Sequence, residues 1–190
     1  MIAIKKRISL LIKSNLIGRK VIFLFILTNS IYAFMLLITI PKVMLFSGEM
    51  KLLDMMPTGY NAQYVNTLLK ALGEKGRDVY LFEQIPIDMV YPFMFALSWC
   101  LVLAYILNKL GKLDGILFYL CLIPVLAGAF DYCENVGIIN ILNRYPANSD
   151  LLSQTTSVFS VLKSSCTTIY FIILVICIVA LGIKKKAALL

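Results

Sequence analysis

The chain contains no histidine. That removes histidine-ligated haem, histidine-based zinc and di-iron centres and every Ser-His triad from the chemistry open to it. Cysteine is sparse and carries no pairing pattern. Cys100, Cys121, Cys133, Cys166 and Cys177 all fall in apolar runs, and none belongs to a C-x-x-C pair. Membrane thiol oxidoreductases need exchangeable pairs, so these five read as small apolar core residues. Charge is thin as well, at 15% of residues, against about 25% in an average soluble domain. The sequence points to no cofactor and to no metal.

Apolar residues fill the space left. They make up 61% of 190 residues, and the mean hydropathy is +0.89. A soluble domain is about 45–50% apolar, so composition predicts an integral membrane protein. Four runs are long enough to cross about 30 Å of hydrocarbon: Val21–Ile40, Ile87–Leu107, Gly115–Leu142 and Thr156–Ile183. The expected fold is all-α, a four-helix transmembrane bundle forming a single domain over residues 1–190. It carries a short extracytoplasmic helical loop at 41–86 and an N-terminal amphipathic helix. In that helix Ile4, Ile8, Leu11 and Ile12 share one face against Lys5, Lys6, Arg7 and Lys13, a pattern suited to a membrane surface. The apolar stretch after Lys20 is longer than a signal-peptide core, so it reads as a retained anchor.

The net charge of +8 is not a nucleic-acid signature, because its distribution follows the spans. Lys5, Lys6, Arg7, Lys13, Arg19, Lys20, Lys109, Lys112, Lys184, Lys185 and Lys186 fall on one side. Lys42, Lys51, Lys70, Lys75, Arg77 and Arg144 fall on the other. The positive-inside rule then puts both termini in the cytoplasm, and the excess attracts anionic lipid.

Along the chain, Pro41 is expected to end the first span. Thr28, Asn29 and Ser30 within it are suited to bonding a neighbouring helix. Met55-Met56-Pro57-Thr58-Gly59-Tyr60 is turn-forming. Val65, Leu68, Leu69 and Leu72 predict a helix over Ala62–Leu72, stopped at Gly73. Pro86 and Pro92 predict kinks on either side of Asp88. Asp114 is placed to cap the third span. Pro124, Ala127, Gly128, Asp131, Glu134 and Asn135 share one face of that span, with the small residues admitting a close neighbour. Thr156, Ser160, Lys163, Thr167 and Tyr170 form a polar stripe on the fourth.

The candidate site follows from depth. Ionisable groups inside a span are costly, and the default reading is a functional site. Counted from the cytoplasmic end of each span at about 1.5 Å per residue, Asp88 lies about 28 Å up, Asp131 about 24 Å, Glu134 about 28 Å and Lys163 about 30 Å. Four groups from three helices therefore meet near the outer leaflet. Asp131, Glu134 and Asp88 are the catalytic candidates, and Lys163, Asn135, Tyr91 and Arg77 the substrate-binding ones. Three carboxylates and one ammonium leave a deficit of positive charge. It is met by a retained proton, by Arg77 or Arg144, by a metal ion, or by a ligand amine.

Leu72-Gly73-Glu74-Lys75-Gly76-Arg77-Asp78-Val79-Tyr80, Asp88-Met89-Val90-Tyr91-Pro92, Asp131-Tyr132-Cys133-Glu134-Asn135 and Lys163 lie on about half the chain. Their layout resembles that of small four-span bacterial integral membrane proteins. The likeness implies residence in the bacterial cytoplasmic (inner) membrane and brings no established activity. Absent are the glycine- and aspartate-rich signature of CDP-alcohol phosphotransferases and the aspartate-rich motifs of prenyltransferases. Three functions compete. One is a site that binds or processes a membrane lipid or other amphiphile. The second is a non-catalytic assembly subunit, partnered by another membrane protein or by its own copy, whose ionic cluster fixes packing. The third is a proton-coupled transporter.

Overall fold

The computed structural model describes residues 2–147 and 149–187, and among them there is no strand. We label the main helices α1 (Ile2–Ser14), α2 (Gly18–Phe34), α3 (Ala62–Val79), α4 (Tyr91–Leu110), α5 (Ile123–Arg144) and α6 (Asp150–Ala187). Four stretches are long and apolar enough to cross a membrane: Gly18–Met44, Ala62–Leu110, Ile116–Arg144 and Asp150–Ala187.

Each is longer than the apolar run that marked it, and in the first three the helix carries on through a proline. Pro41 does not end its helix. A wider π-helical turn at Met35–Thr39 precedes it, and the α-helix resumes over Ile40–Met44. A second π turn, Tyr80–Gln84, precedes Pro86, and a 3-10 turn, Ile116–Leu122, precedes Pro124. Proline lacks an N–H and its ring strikes the carbonyl four residues back. Each non-α turn moves that carbonyl aside. The segment 41–86 is accordingly far more helical than a loop. The expected helix is present, begun by Asn61, whose side chain accepts from the Tyr64 N–H at 2.8 Å. Gly73, at φ +62° and ψ −173°, interrupts it where the sequence placed the stop, and a second helical segment follows directly to Val79.

Asp114 does not cap the third span. It pairs with Lys13, and this contact ties the end of α1 to the turn before α5. Ile12 is buried and Ile8 packs beside it, while Leu11 of the expected apolar face is exposed. The side chains of Ile4, Lys5 and Lys6 lie outside the described residues. Cys100, Cys121 and Cys177 are buried as expected, but Cys133 is exposed and Cys166 half-buried.

Two apolar clusters close the ends of the molecule. One joins Val43, Leu52, Leu68, Leu72, Ile138 and Ile141 beneath α3. The other joins Leu103, Leu107, Phe118, Cys121, Tyr170 and Leu174 at the far end. α5 packs along α6 and on α4, while α2 and α6 each lean on α4. The close fit comes from small residues. A Cβ on Gly128 would stand 2.8 Å from the Pro92 carbonyl oxygen, and one on Gly137 would stand 2.2 Å from Thr156 Oγ1. The layer between the two clusters holds the polar side chains.

Candidate functional site

Asp131 and Glu134 are three residues apart on α5 and so leave it on one face. Lys163 reaches them from α6. Its Nζ lies 3.2 Å from Asp131 Oδ1 and pairs directly with Glu134 Oε2. Ser160, one turn earlier on α6, donates to the other Glu134 oxygen. Glu134 is thus fully enclosed with both oxygens engaged, whereas the Lys163 side chain keeps 18% of its surface exposed.

Asp88 arrives from a different direction. It ends the short helix Ile85–Asp88, where the chain breaks before Pro92. Asn135 Nδ2 donates to the Asp88 carbonyl oxygen at 3.2 Å, so Asn135 positions this residue through its backbone. The Asp88 side chain is 4% exposed, and its Oδ2 is buried with no hydrogen-bond partner.

Of these groups Asp88, Asp131 and Lys163 border a cavity of about 530 Å³, with Glu134 and Asn135 buried behind them. Asp54, Asp88, Asp131 and Lys163 line its polar end. Tyr91, Phe95 and Trp99 recur every four residues on α4 and form one long wall, with Tyr32 of α2 stacked on Tyr91 at 5.4 Å between ring centroids. Phe171 of α6 meets Trp99 edge-on at 4.9 Å. The cavity opens sideways between α2 and α6, where Tyr32, Leu36 and Phe171 are all exposed.

The loop forms a roof. Tyr60 N–H donates to Ser157 Oγ of α6 at 2.7 Å. Gly59 makes this approach possible, with φ +82° and a would-be Cβ only 2.6 Å from Ser157 Oγ. The pinned loop carries Asp54, which accepts from the Tyr80 hydroxyl at 2.5 Å. Burial pushes the Tyr60 hydroxyl well above the usual phenol range, so it stays a neutral group.

The structure therefore brings together Asp88, Asp131, Glu134, Asn135, Lys163 and Tyr91. It does not bring Arg77 to them. Arg77 donates to the Leu69 carbonyl oxygen at 3.0 Å and lies over the Tyr145 ring. Arg144 is exposed at the end of α5. Sequence reasoning missed Asp54 and the aromatic wall. A carboxylate inside the apolar stretch Leu52-Leu53-Asp54-Met55-Met56 was the available signal for the first, and the i, i+4, i+8 spacing of Tyr91, Phe95 and Trp99 for the second. Among the described residues no group of three or more Asp, Glu or Cys is arranged to hold a metal ion.

Fold and cavity together define a helical chain with four helices long and apolar enough to cross a membrane, and a side-opening groove that is acidic at one end. No protein-family model matches the chain, and neither does any curated protein or solved structure.

Proposed function

We propose that this is a multi-pass protein of the bacterial inner membrane, both termini in the cytoplasm, that binds or processes a lipid or other amphiphile. The carrying observation is the groove itself: polar at one end, aromatic along its length and open at its side between α2 and α6. In a bilayer such an opening admits a chain from the lipid without its leaving hydrocarbon. Ligand cavities of about 300–1,000 Å³ combine an apolar lining with a few convergent polar groups in this way. Asp88 and Asp131 face the head, Tyr91 orients it, and Lys163 keeps Asp131 in place while Glu134, itself bonded by Ser160, holds Lys163. Should the head undergo a reaction, Asp88 and Asp131 are the groups placed to move a proton.

The test is lipid analysis of protein extracted with its surrounding membrane in a detergent-free polymer. The wild type should carry a lipid species enriched over the bulk membrane. Ser164→Phe, which fills the groove from α6, should lose that enrichment while keeping its helical circular dichroism. A wild-type lipid profile identical to bulk membrane sinks the reading.

A second reading has its own support. Glu134 is fully enclosed and bonded by Ser160 and Lys163, the arrangement expected where an ionic cluster fixes helix packing in an assembly subunit. Under that reading Asp88→Asn and Ser164→Phe leave function intact. Transport draws less support, because the apolar cluster around Leu103, Leu107, Phe118 and Tyr170 closes the far end below the groove.

A further inference from the structure

The charges around the groove do not balance. Asp54, Asp88 and Asp131 line its polar end with Glu134 enclosed behind Asp131, and among the described residues Lys163 is the one cation lining the cavity. Lys163 is engaged by Asp131 and Glu134, and Tyr80 donates to Asp54. Asp88 is left, 96% buried by its 4% exposure, lining the cavity with Oδ2 unpartnered. A buried carboxylate without a partner is costly unless it is protonated or meets a cation. The two arginines that stood as candidates are elsewhere, Arg77 on the Leu69 carbonyl and Tyr145 ring, Arg144 at the surface.

The surroundings select the kind of cation. A hard divalent ion requires about six oxygen ligands; the other two carboxylates at this end are engaged, Asp131 by Lys163 and Asp54 by Tyr80, and the wall beside Asp88 is aromatic. Tyr91 lies one turn beyond Asp88 with Tyr32 stacked on it, and Phe95 and Trp99 continue the wall. A carboxylate beside aromatic faces is the chemistry that recognises organic ammonium groups. The rest of the wall suits an alkyl chain.

We infer that the groove takes an amphiphile with a cationic head, an organic ammonium that sits against Asp88 and the Tyr91–Tyr32 rings while its chain lies along Phe95 and Trp99. This inference rests on the amphiphile reading above and narrows it to one head-group charge.

Trp99 is the only tryptophan in the chain and lines the cavity, so its fluorescence reports occupancy directly. The full chain in uncharged dodecyl maltoside micelles is titrated with dodecyltrimethylammonium, dodecanol and dodecanoate. The ammonium probe should shift Trp99 emission at about a tenfold lower concentration than the other two, the equivalent of one well-placed charge contact. Asp88→Asn should reduce the ammonium probe to the level of dodecanol, with an unchanged helical circular dichroism certifying that the variant folds. If Asp88→Asn does not fold, Tyr91→Leu should weaken the ammonium probe alone. Equal potency of all three probes, or preference for dodecanoate, overturns the cationic head and leaves the amphiphile groove standing. A preference for ammonium that survives Asp88→Asn also overturns it. No response to any probe from folded protein overturns both readings.

Discussion

Lys163 answers two carboxylates at once, and that makes the outcome of removing it predictable. Lys163→Met would leave Asp131 and Glu134 buried with no cation between them. Removing one partner of a buried pair costs about 3–5 kcal/mol. Glu134→Gln should cost much less, because Ser160 can still bond the amide and Lys163 keeps Asp131. Adding Asp131→Asn and Glu134→Gln to Lys163→Met should recover most of the loss. Unfolding in micelles measures all three, and a triple variant no more stable than Lys163→Met contradicts the assignment. A smaller check is Tyr170→Phe. The Tyr170 hydroxyl donates to the Trp99 carbonyl oxygen at 2.7 Å in a buried site, so its loss should cost about 1 kcal/mol. The pairing of Lys163 with the α5 carboxylates was legible beforehand because depth along a helix is arithmetic. Asp54 was not, because a loop residue has no such ruler. Arg77 was misplaced because its partner, the Leu69 carbonyl eight residues upstream, comes within reach only across the interruption at Gly73.

Among the helices, α5 and α6 make the most extensive contact, and two glycines on them should respond in opposite directions. Gly137 faces Thr156 so closely that an added methyl must displace it. Overpacking of this sort costs about 1–3 kcal/mol, and here it would also spread the Glu134–Lys163 pair one turn away. Gly182 is also helical, but a Cβ there meets nothing within 4 Å. Gly182→Ala should therefore stabilise, by up to about 1 kcal/mol from helix propensity. Opposite shifts in unfolding midpoint are expected, and a loss from both substitutions would refute the packing account. Gly59→Ala belongs with Gly137. It strains a backbone at φ +82° and strikes Ser157, so the roof over Asp54 should open and residues 45–61 become sensitive to protease. Helix existence and type were readable from apolar runs and from the spacing of Val65, Leu68, Leu69 and Leu72. Helix ends were not. Polar turns such as Asp150–Thr155 stay helical by packing against α5, and the π turn before Pro41 carries the helix past a proline that reads as a stop in the sequence.

For the whole molecule, the open quantity is which way round it sits. Of the basic groups expected on one side, Lys13 pairs with Asp114 and Lys184 donates to the Lys109 carbonyl oxygen at 3.0 Å, so these lie at one end. The loop with Asp54, and with it the acidic end of the groove, lies at the end closed by the other apolar cluster. Cationic side chains favour the cytoplasmic face, with about 1 kcal/mol per Lys or Arg from anionic lipid, so the acidic end should open to the outer leaflet. Lys51 and Lys185 are exposed and mark the two ends. With the five cysteines replaced, Lys51→Cys should react with a membrane-impermeant maleimide on intact cells, and Lys185→Cys only after lysis. The reverse pattern would invert the molecule and move the amphiphile's source to the inner leaflet. It would leave the groove, its unpartnered Asp88 and its aromatic wall unchanged, because those depend on how the helices pack and not on which face they present to the cytoplasm.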